Sequence, residues 1–449
     1  MSALPPSLTI KIRYEYQCRL GNCQHEREAN IWLRERCENS HKLVDVAAQL
    51  RDEAAKKKIL EILHDDHDTE IRRLAVLLTD EKVKKAIQAQ SLDEDRIIAI
   101  ANFYRSPKDP KKQMRITKLL RLEKKQATSF LNMTFKVIGN GCRYATEYEI
   151  ELRNQQKNRN AAFGERIFLM RGEEKISMRD VMNTAHMRMM AEIFTLLKGI
   201  EDVATEKGFT WAFLTLTAPA RMHSNPSIGD SSYDLTNPKD ALVWLHKARE
   251  GAQKRHEKKG IHVSGVWVVH PHKDACPHIH ILIFARAEEM KLIESSYRYE
   301  PQWRSEPGLV FTLDNGMSTA NSYMFKHLLN IVSSLEMLSG EAGAFDAWRS
   351  TWVARGHQFF GIPSKALWRN FRDIKELPAD PLLATLWVAA QEGDGYTFIK
   401  ALGGLNLKKM DRPVSAKETG SKKKKVIELI INETGELFRY TSEKWQKCI

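Results

Sequence analysis

A chain of 449 residues has room for about three domains of roughly 150 residues each, and 42% hydrophobic residues suffice for real cores. No apolar run reaches the roughly 18 residues of a membrane helix, and the N-terminus lacks the basic-then-apolar order of a signal peptide, so a cytoplasmic protein without a membrane partner is expected. The 70 Lys and Arg against 57 Asp and Glu leave a net charge of +13, which suits a polyanionic partner because each neutralised phosphate releases counterions.

In chain order, residues 1–135 are expected to form a mainly helical region with a role in DNA recognition. Cys18, Cys23, His25, Cys37 and His41 open it. Their spacing fits no standard zinc site well, so reduced, partly buried thiols are the preferred reading and structural zinc the alternative. From about 42 the apolar residues of VDVAAQL, KKILEIL and IRRLAVLL recur three and four apart, as on helices. Between Arg105 and Lys125 nine Lys or Arg face two acids. On a helix, Lys111, Arg115, Lys118 and Arg121 share one face, which serves equally as a phosphate-tracking surface or as a solvated face.

Residues 136–207 read as a helical connecting region whose last helix ends at Gly208, where a C-cap is expected. The texture then changes. WAFLTLT, VSGVWVVH and HIHILIFA read as strands, and helical patterns near 238–259 and 317–337 lie among them. Strands mixed with helices predict an α+β domain over 208–335. Over 336–402 the aromatics Phe345, Trp348, Trp352, Phe359, Phe360, Trp368 and Phe371 have helix-like spacing, which favours core packing over a base-stacking platform. Residues 403–449 read as a basic linker, with SKKKK at 421–425, and a tail in which VIELIINETGELFRY can close a hairpin.

The residues with chemistry cluster in VWVVHPHKDACPHIHILIF. Period two on a strand puts His278 and His280 on one face. A hairpin centred near Asp274 sets His270 opposite His278, and cross-strand neighbours about 5 Å apart can share a metal ion. His272 is the rival third ligand if the register slips. Downstream, Tyr323 and Lys326 in ANSYMFKHLLNIV share a helix face. A phenol of pKa about 10 is a poor nucleophile at neutral pH, and a neighbouring ammonium favours its phenolate. Together these parts compose a nicking site. The metal polarises a phosphate oxygen, Tyr323 attacks phosphorus in single-stranded DNA, and the 5′-phosphotyrosyl link formed retains the energy for rejoining.

The His-hydrophobic-His pair with a downstream Tyr-x-x-Lys resembles the HUH endonucleases, and more closely the phage replication gene A proteins. Four stretches carry the closer resemblance: CRYATEYEIELRNQQKNRNAAF at 142–163, FLTLTAPARMH at 213–223, HPHKDACPHIHILIF at 270–284 and HQFFGIPSKALWR at 357–369. The resemblance implies a central antiparallel sheet with the histidines on a middle strand, flanked by helical N-terminal and C-terminal regions. It implies Mg2+ or Mn2+, an origin of rolling-circle replication as substrate and a host replicative helicase as partner. Thr215 and Thr217 would lie on one face of the flanking strand, and Arg221 joins the expected DNA contacts. Two departures stand out. His270 occupies a place where the family carries Glu, which favours Mn2+ if His270 is a ligand and otherwise leaves Asp274 or water to complete the shell. The family's second tyrosine, four residues from the first, is missing: Thr319 and His327 flank Tyr323 at that spacing. A relaxase or single-strand transposase on the same core is the alternative enzyme, and a DNA-binding replication regulator with a decayed site the alternative non-enzyme.

Overall fold

The computed structural model describes residues 136–226, 233–329, 337–353, 355–421 and 424–448, with scattered single residues between 16 and 133. The Cys18–His41 cluster, most of the periodic stretch 42–135 and the basic face of Lys111, Arg115, Lys118 and Arg121 lie outside the described residues. The chain divides into two compact units, one of residues 1–149, 220–240 and 272–276, the other of the remainder.

The described part of the first unit buries Phe130, Met133, Ile138 and Ala145. Here helix α1 (Glu147–Arg166) begins, and it runs on into the second unit. A capping box opens it: Thr146 Oγ1 accepts from the Glu149 N–H at 3.3 Å, and the Glu149 carboxylate accepts from the Thr146 N–H at 2.8 Å. The buried Asp274 carboxylate is paired with His223 Nδ1 at 3.0 Å and accepts from the N–H groups of Cys276 and Asn225.

The second unit is built on a five-stranded antiparallel sheet. Its strands are β3 (Thr210–Thr217), β4 (Ser264–Pro271), β5 (Pro277–Ala285), β6 (Leu309–Leu313) and β7 (His357–Phe360), in the order β6-β3-β5-β4-β7. The expected α+β class and central antiparallel sheet are therefore present. The sheet also takes an edge strand, β7, from beyond the 208–335 span read from sequence. His270 pairs with His278 in the β4–β5 hairpin, the register expected from a turn centred at Asp274.

Alternation divides the sheet into two faces. One carries Ala212, Leu214, Leu216, Ile279, Ile281, Ile283 and Trp267, all buried. Helix α3 (Pro238–Glu257) lies on this face, where the His246 ring is 4.8 Å from that of Trp267 and the Arg249 guanidinium 5.6 Å. The other face carries Trp211, Phe213, Val266, Val268, Leu282, Phe284 and Phe359 in one hydrophobic cluster. The cluster takes Ile193, Leu196 and Ile200 from α2 (Met178–Glu206), and Ala320, Met324 and Leu328 from α5 (Ala320–Leu329). It also takes Trp368 and Phe371 from α7 (Lys365–Asp373), and Leu383 and Leu386 from α8 (Pro381–Glu392). The remaining helices are α4 (Met290–Arg298), α6 (Gly340–Trp352) and α9 (Gly395–Ala401). Phe345, Trp348, Trp352, Phe359, Trp368 and Phe371 are all buried, as core packing requires.

Helix α2 starts on the Ser177 hydroxyl, which accepts from the Asp180 N–H, and ends in a Schellman turn. Gly208, at φ +67°, donates to Thr205 O, and Phe209 donates to Ala204 O. Upstream, β1 (Phe168–Arg171) and β2 (Glu174–Ser177) form a hairpin inside the stretch read from sequence as helical, and β11 (Gln446–Cys448) pairs with β1.

The segment read as a basic linker and tail is folded. Strands β8 (Val414–Gly420), β9 (Lys424–Ile431) and β10 (Leu437–Glu443) form an antiparallel sheet, and β9 with β10 is the expected terminal hairpin. Ile427, Leu429 and Ile431 alternate into the hydrophobic cluster, so their burial overrides the charge of the adjoining lysines. Lys425, expected in an exposed run, pairs with Asp373 at 2.7 Å.

Candidate metal centre and nucleophile

Because His278 and His280 are two apart on the central strand, both imidazoles project from the cluster-bearing face, with Thr215 of β3 opposite His280 and Val268 of β4 on its other side. His270 reaches the same face from β4. His278 Nε2 and His280 Nε2 are 2.9 Å apart. His280 Nδ1 lies 2.9 Å from Thr215 Oγ1. His270 Nε2 lies 2.8 Å from the His327 carbonyl oxygen, which can only accept, so that nitrogen carries the proton and Nδ1 the lone pair.

Helix α5 supplies the rest. Its N-cap is Thr319, whose hydroxyl accepts from the Ser322 N–H at 3.2 Å. Ala320, Met324 and Leu328 point into the core, and Tyr323 and His327 share the adjoining stripe of the helix. The His327 ring is 4.1 Å from that of His280, 5.2 Å from that of His270 and stacked on Phe213 at 5.3 Å. His270, His280 and His327 each present a nitrogen within 4.8 Å of the other two, and His278 joins them through His280. Tyr323, 39% exposed, packs edge-on against Phe213 with ring centroids 4.8 Å apart and tilts over Trp211 at 5.8 Å. Phe213 also stacks on His280 at 5.3 Å. The phenol is thus one helical turn from His327 and shares Phe213 with two of the clustered imidazoles.

Burial dominates the electrostatics here. It pushes His270 down to about 4, outweighing the bond to the His327 carbonyl. It also lowers His327, helped by the Lys326 ammonium. Both rings are therefore neutral at pH 7. Lys326 is exposed, and its ammonium disfavours the protonated form of His327.

The divalent ion implied by the family resemblance fits this donor set. Imidazole nitrogens converge, and the remote nitrogens of His270 and His280 have a backbone or hydroxyl partner, as in a supported metal site. The 2.9 Å between His278 and His280 is near the separation of two adjacent donors, each about 2.1 Å from one ion.

Other residues singled out in the sequence take different places. His272 lies in the first unit, its ring 5.0 Å from that of His223, and both Asp274 oxygens are engaged there. Arg221 is exposed on the turn Ala220–Met222 and pairs with Asp234. Thr217 accepts the Trp303 indole N–H on its carbonyl at 3.0 Å. Tyr297 is buried near Arg249, and burial pushes its phenol up to about 12, whereas Tyr299 is exposed beneath the Arg255 guanidinium. His327 is the residue the sequence reading missed. Its signal lies in the spacing, since four residues after Tyr323 is the same helix face.

Fold and site together define the class: an α+β protein with clustered imidazoles on its central sheet and an exposed phenol on the helix facing them. Residues 112–302 match the bacteriophage replication gene A protein (GPA) family. Among curated relatives, the chain is 28% identical to the probable replication protein P12 of Pseudoalteromonas phage PM2 over 53% of its own length and 42% of the relative's. It is 25% identical to the replication gene A protein of Escherichia phage 186, over 50% and 36% of the two lengths. It is 26% identical to a probable replication endonuclease from a prophage-like region of Salmonella typhi, over 52% and 34%. The matches thus span well under half the length of each of these relatives. No solved structure matches the chain. Among the described residues no helix is long and apolar enough to cross a membrane.

Proposed function

We propose that this chain is a replication-initiation endonuclease of the HUH type, which nicks one strand of origin DNA through Tyr323 and remains joined to it. The single observation that carries the reading is Tyr323 on the helix whose next turn, His327, meets His280 of the central strand. The gene A family match and a relative named as a probable replication endonuclease support it.

His278, His280 and His270 would hold a divalent cation, Mn2+ in preference to Mg2+ because all three donors are imidazoles. Such an ion, when bound, draws charge from a non-bridging oxygen of the scissile phosphate. Tyr323 Oη forms a bond to phosphorus in line with the departing 3′ oxygen, whose bond breaks as the phenolic proton passes to it. The products are a free 3′-hydroxyl and a 5′-phosphotyrosyl link. Lys326, exposed three residues on, offsets the charge of the bound phosphate. Attack of the 3′-hydroxyl on the link reverses the step without ATP, as strand rejoining in rolling-circle replication requires. A host helicase would unwind the nicked duplex.

The test is incubation of the purified chain with single-stranded oligonucleotides of the element's origin and Mn2+. A protein–DNA adduct surviving SDS is expected, and Tyr323→Phe should abolish it while oligonucleotide affinity stays within about threefold. Adduct formation by the Phe variant at the wild-type level contradicts the assignment.

A further inference from the structure

We infer that His327 is itself a ligand of the candidate metal centre, so that metal binding ties the helix carrying Tyr323 to the central sheet. The inference rests on the reading of a metal-dependent site and adds to it a donor from outside the sheet.

Residues four apart on a helix lie about 6 Å apart along its axis and on one face. Tyr323 and His327 therefore move as one body. The His327 ring is the nearer of the two to the strand histidines: 4.1 Å from His280, 5.2 Å from His270, with a ring nitrogen among the three that lie within 4.8 Å of one another. Stacking on Phe213 holds its plane. Its backbone takes part as well, since the His327 carbonyl accepts the Nε2 proton of His270 and leaves Nδ1 as that ring's donor. An imidazole whose remote N–H is held by a carbonyl has its tautomer fixed for ligation. His327 thus contributes to the cluster twice, once by its own ring and once by orienting a neighbour.

The consequence is mechanical. Helix α5 inserts Ala320, Met324 and Leu328 into the core. An ion shared by β5 and α5 adds a bond that exists only in the docked arrangement, so metal affinity and helix order are linked. At one of the two positions, 319 and 327, where the resemblance leads one to expect a second phenol, His327 would then supply a ligand. One nucleophile would remain, held by the ion it works beside.

The experiment uses the full chain, with Mn2+ binding followed by electron paramagnetic resonance and amide hydrogen exchange followed over 320–329 with and without Mn2+. In the wild type and in Tyr323→Phe, Mn2+ should slow exchange across α5 by at least about tenfold. His327→Ala should weaken Mn2+ binding by at least about tenfold and lose that protection, and His327→Gln, which keeps one donor, should recover part of both. Should the Ala variant not fold, the Gln variant and the wild-type exchange difference still decide the matter. Unchanged Mn2+ affinity in a folded His327→Ala, or bound Mn2+ that leaves α5 exchange unaltered in the wild type, overturns the inference. A wild-type chain that binds Mn2+ and protects α5 but yields no covalent DNA product supports it while contradicting the nickase reading.

Discussion

The ring of His280 lies 4.1 Å from that of His327, and this contact joins the central strand β5 to the helix α5 that bears Tyr323. Two residues 47 apart in sequence thus join a strand and a helix through their imidazoles. The proposed chemistry depends on that junction.

Thr215→Val removes the hydroxyl 2.9 Å from His280 Nδ1 and keeps the shape of the side chain. Loss of such an outer partner typically weakens metal binding 10–100-fold. Mn2+ affinity should fall by about tenfold or more, while the thermal midpoint shifts little because Thr215 is only partly buried. Unchanged affinity would show that the hydroxyl does not orient the ring.

His270→Glu restores a carboxylate where the all-imidazole set has a nitrogen donor. The harder oxygen ligand should raise Mg2+ affinity relative to Mn2+. Parallel titrations with the two ions check this, and an unaltered ratio would remove His270 from the shell.

The hairpin bearing these histidines was legible in the sequence for a simple reason. Period-two alternation placed His278 and His280 together, and the symmetric spacing about Asp274 placed His270 opposite His278, so local pattern alone fixed the register. Helix α5 was legible from its apolar periodicity. Strand β7 was not, because four residues at a sheet edge, far in sequence from β4, leave no alternating signature of their own. The terminal sheet was hidden by the lysines of 421–425, whose charge suggested a linker although Ile427, Leu429 and Ile431 behind them alternate into the core. His327 left only its spacing from Tyr323 in the sequence, because its meeting with His280 and His270 is made by the fold.

Asp346 is buried and paired with Lys157 at 2.9 Å and Arg153 at 2.8 Å. Burial alone would raise its carboxyl, but the two cations outweigh it and hold it at about 2, below the ordinary 3.8. A depressed carboxyl contributes stability that is present above about pH 4 and lost as pH falls toward 2. The shift corresponds to about 2 kcal/mol. Chemical denaturation at pH 6 and pH 3 should record part of this loss in the wild type, superimposed on that of other carboxylates. Asp346→Ala should cost about 3–5 kcal/mol at pH 6, because it leaves buried cations unpaired. A loss under 1 kcal/mol would contradict the network's role.

At the crossing of α2 and α9, a Cβ on Gly199 would lie 2.4 Å from the Gly395 carbonyl carbon, so the two helices approach backbone to backbone. Gly199→Ala, ordinarily favourable within a helix, should here destabilise by about 1–3 kcal/mol through overpacking. An equal or raised thermal midpoint would show that the helices separate freely.

If the Tyr323 oxygen and the clustered imidazoles act on one backbone phosphate, mass spectrometry of the SDS-resistant adduct after protease and nuclease digestion should find one modified peptide, containing Tyr323 with a 5′-linked nucleotide on its phenolic oxygen. A nucleotide on Tyr297, Tyr299 or any other residue, or no covalent product with Mn2+ and the origin strand present, would contradict it.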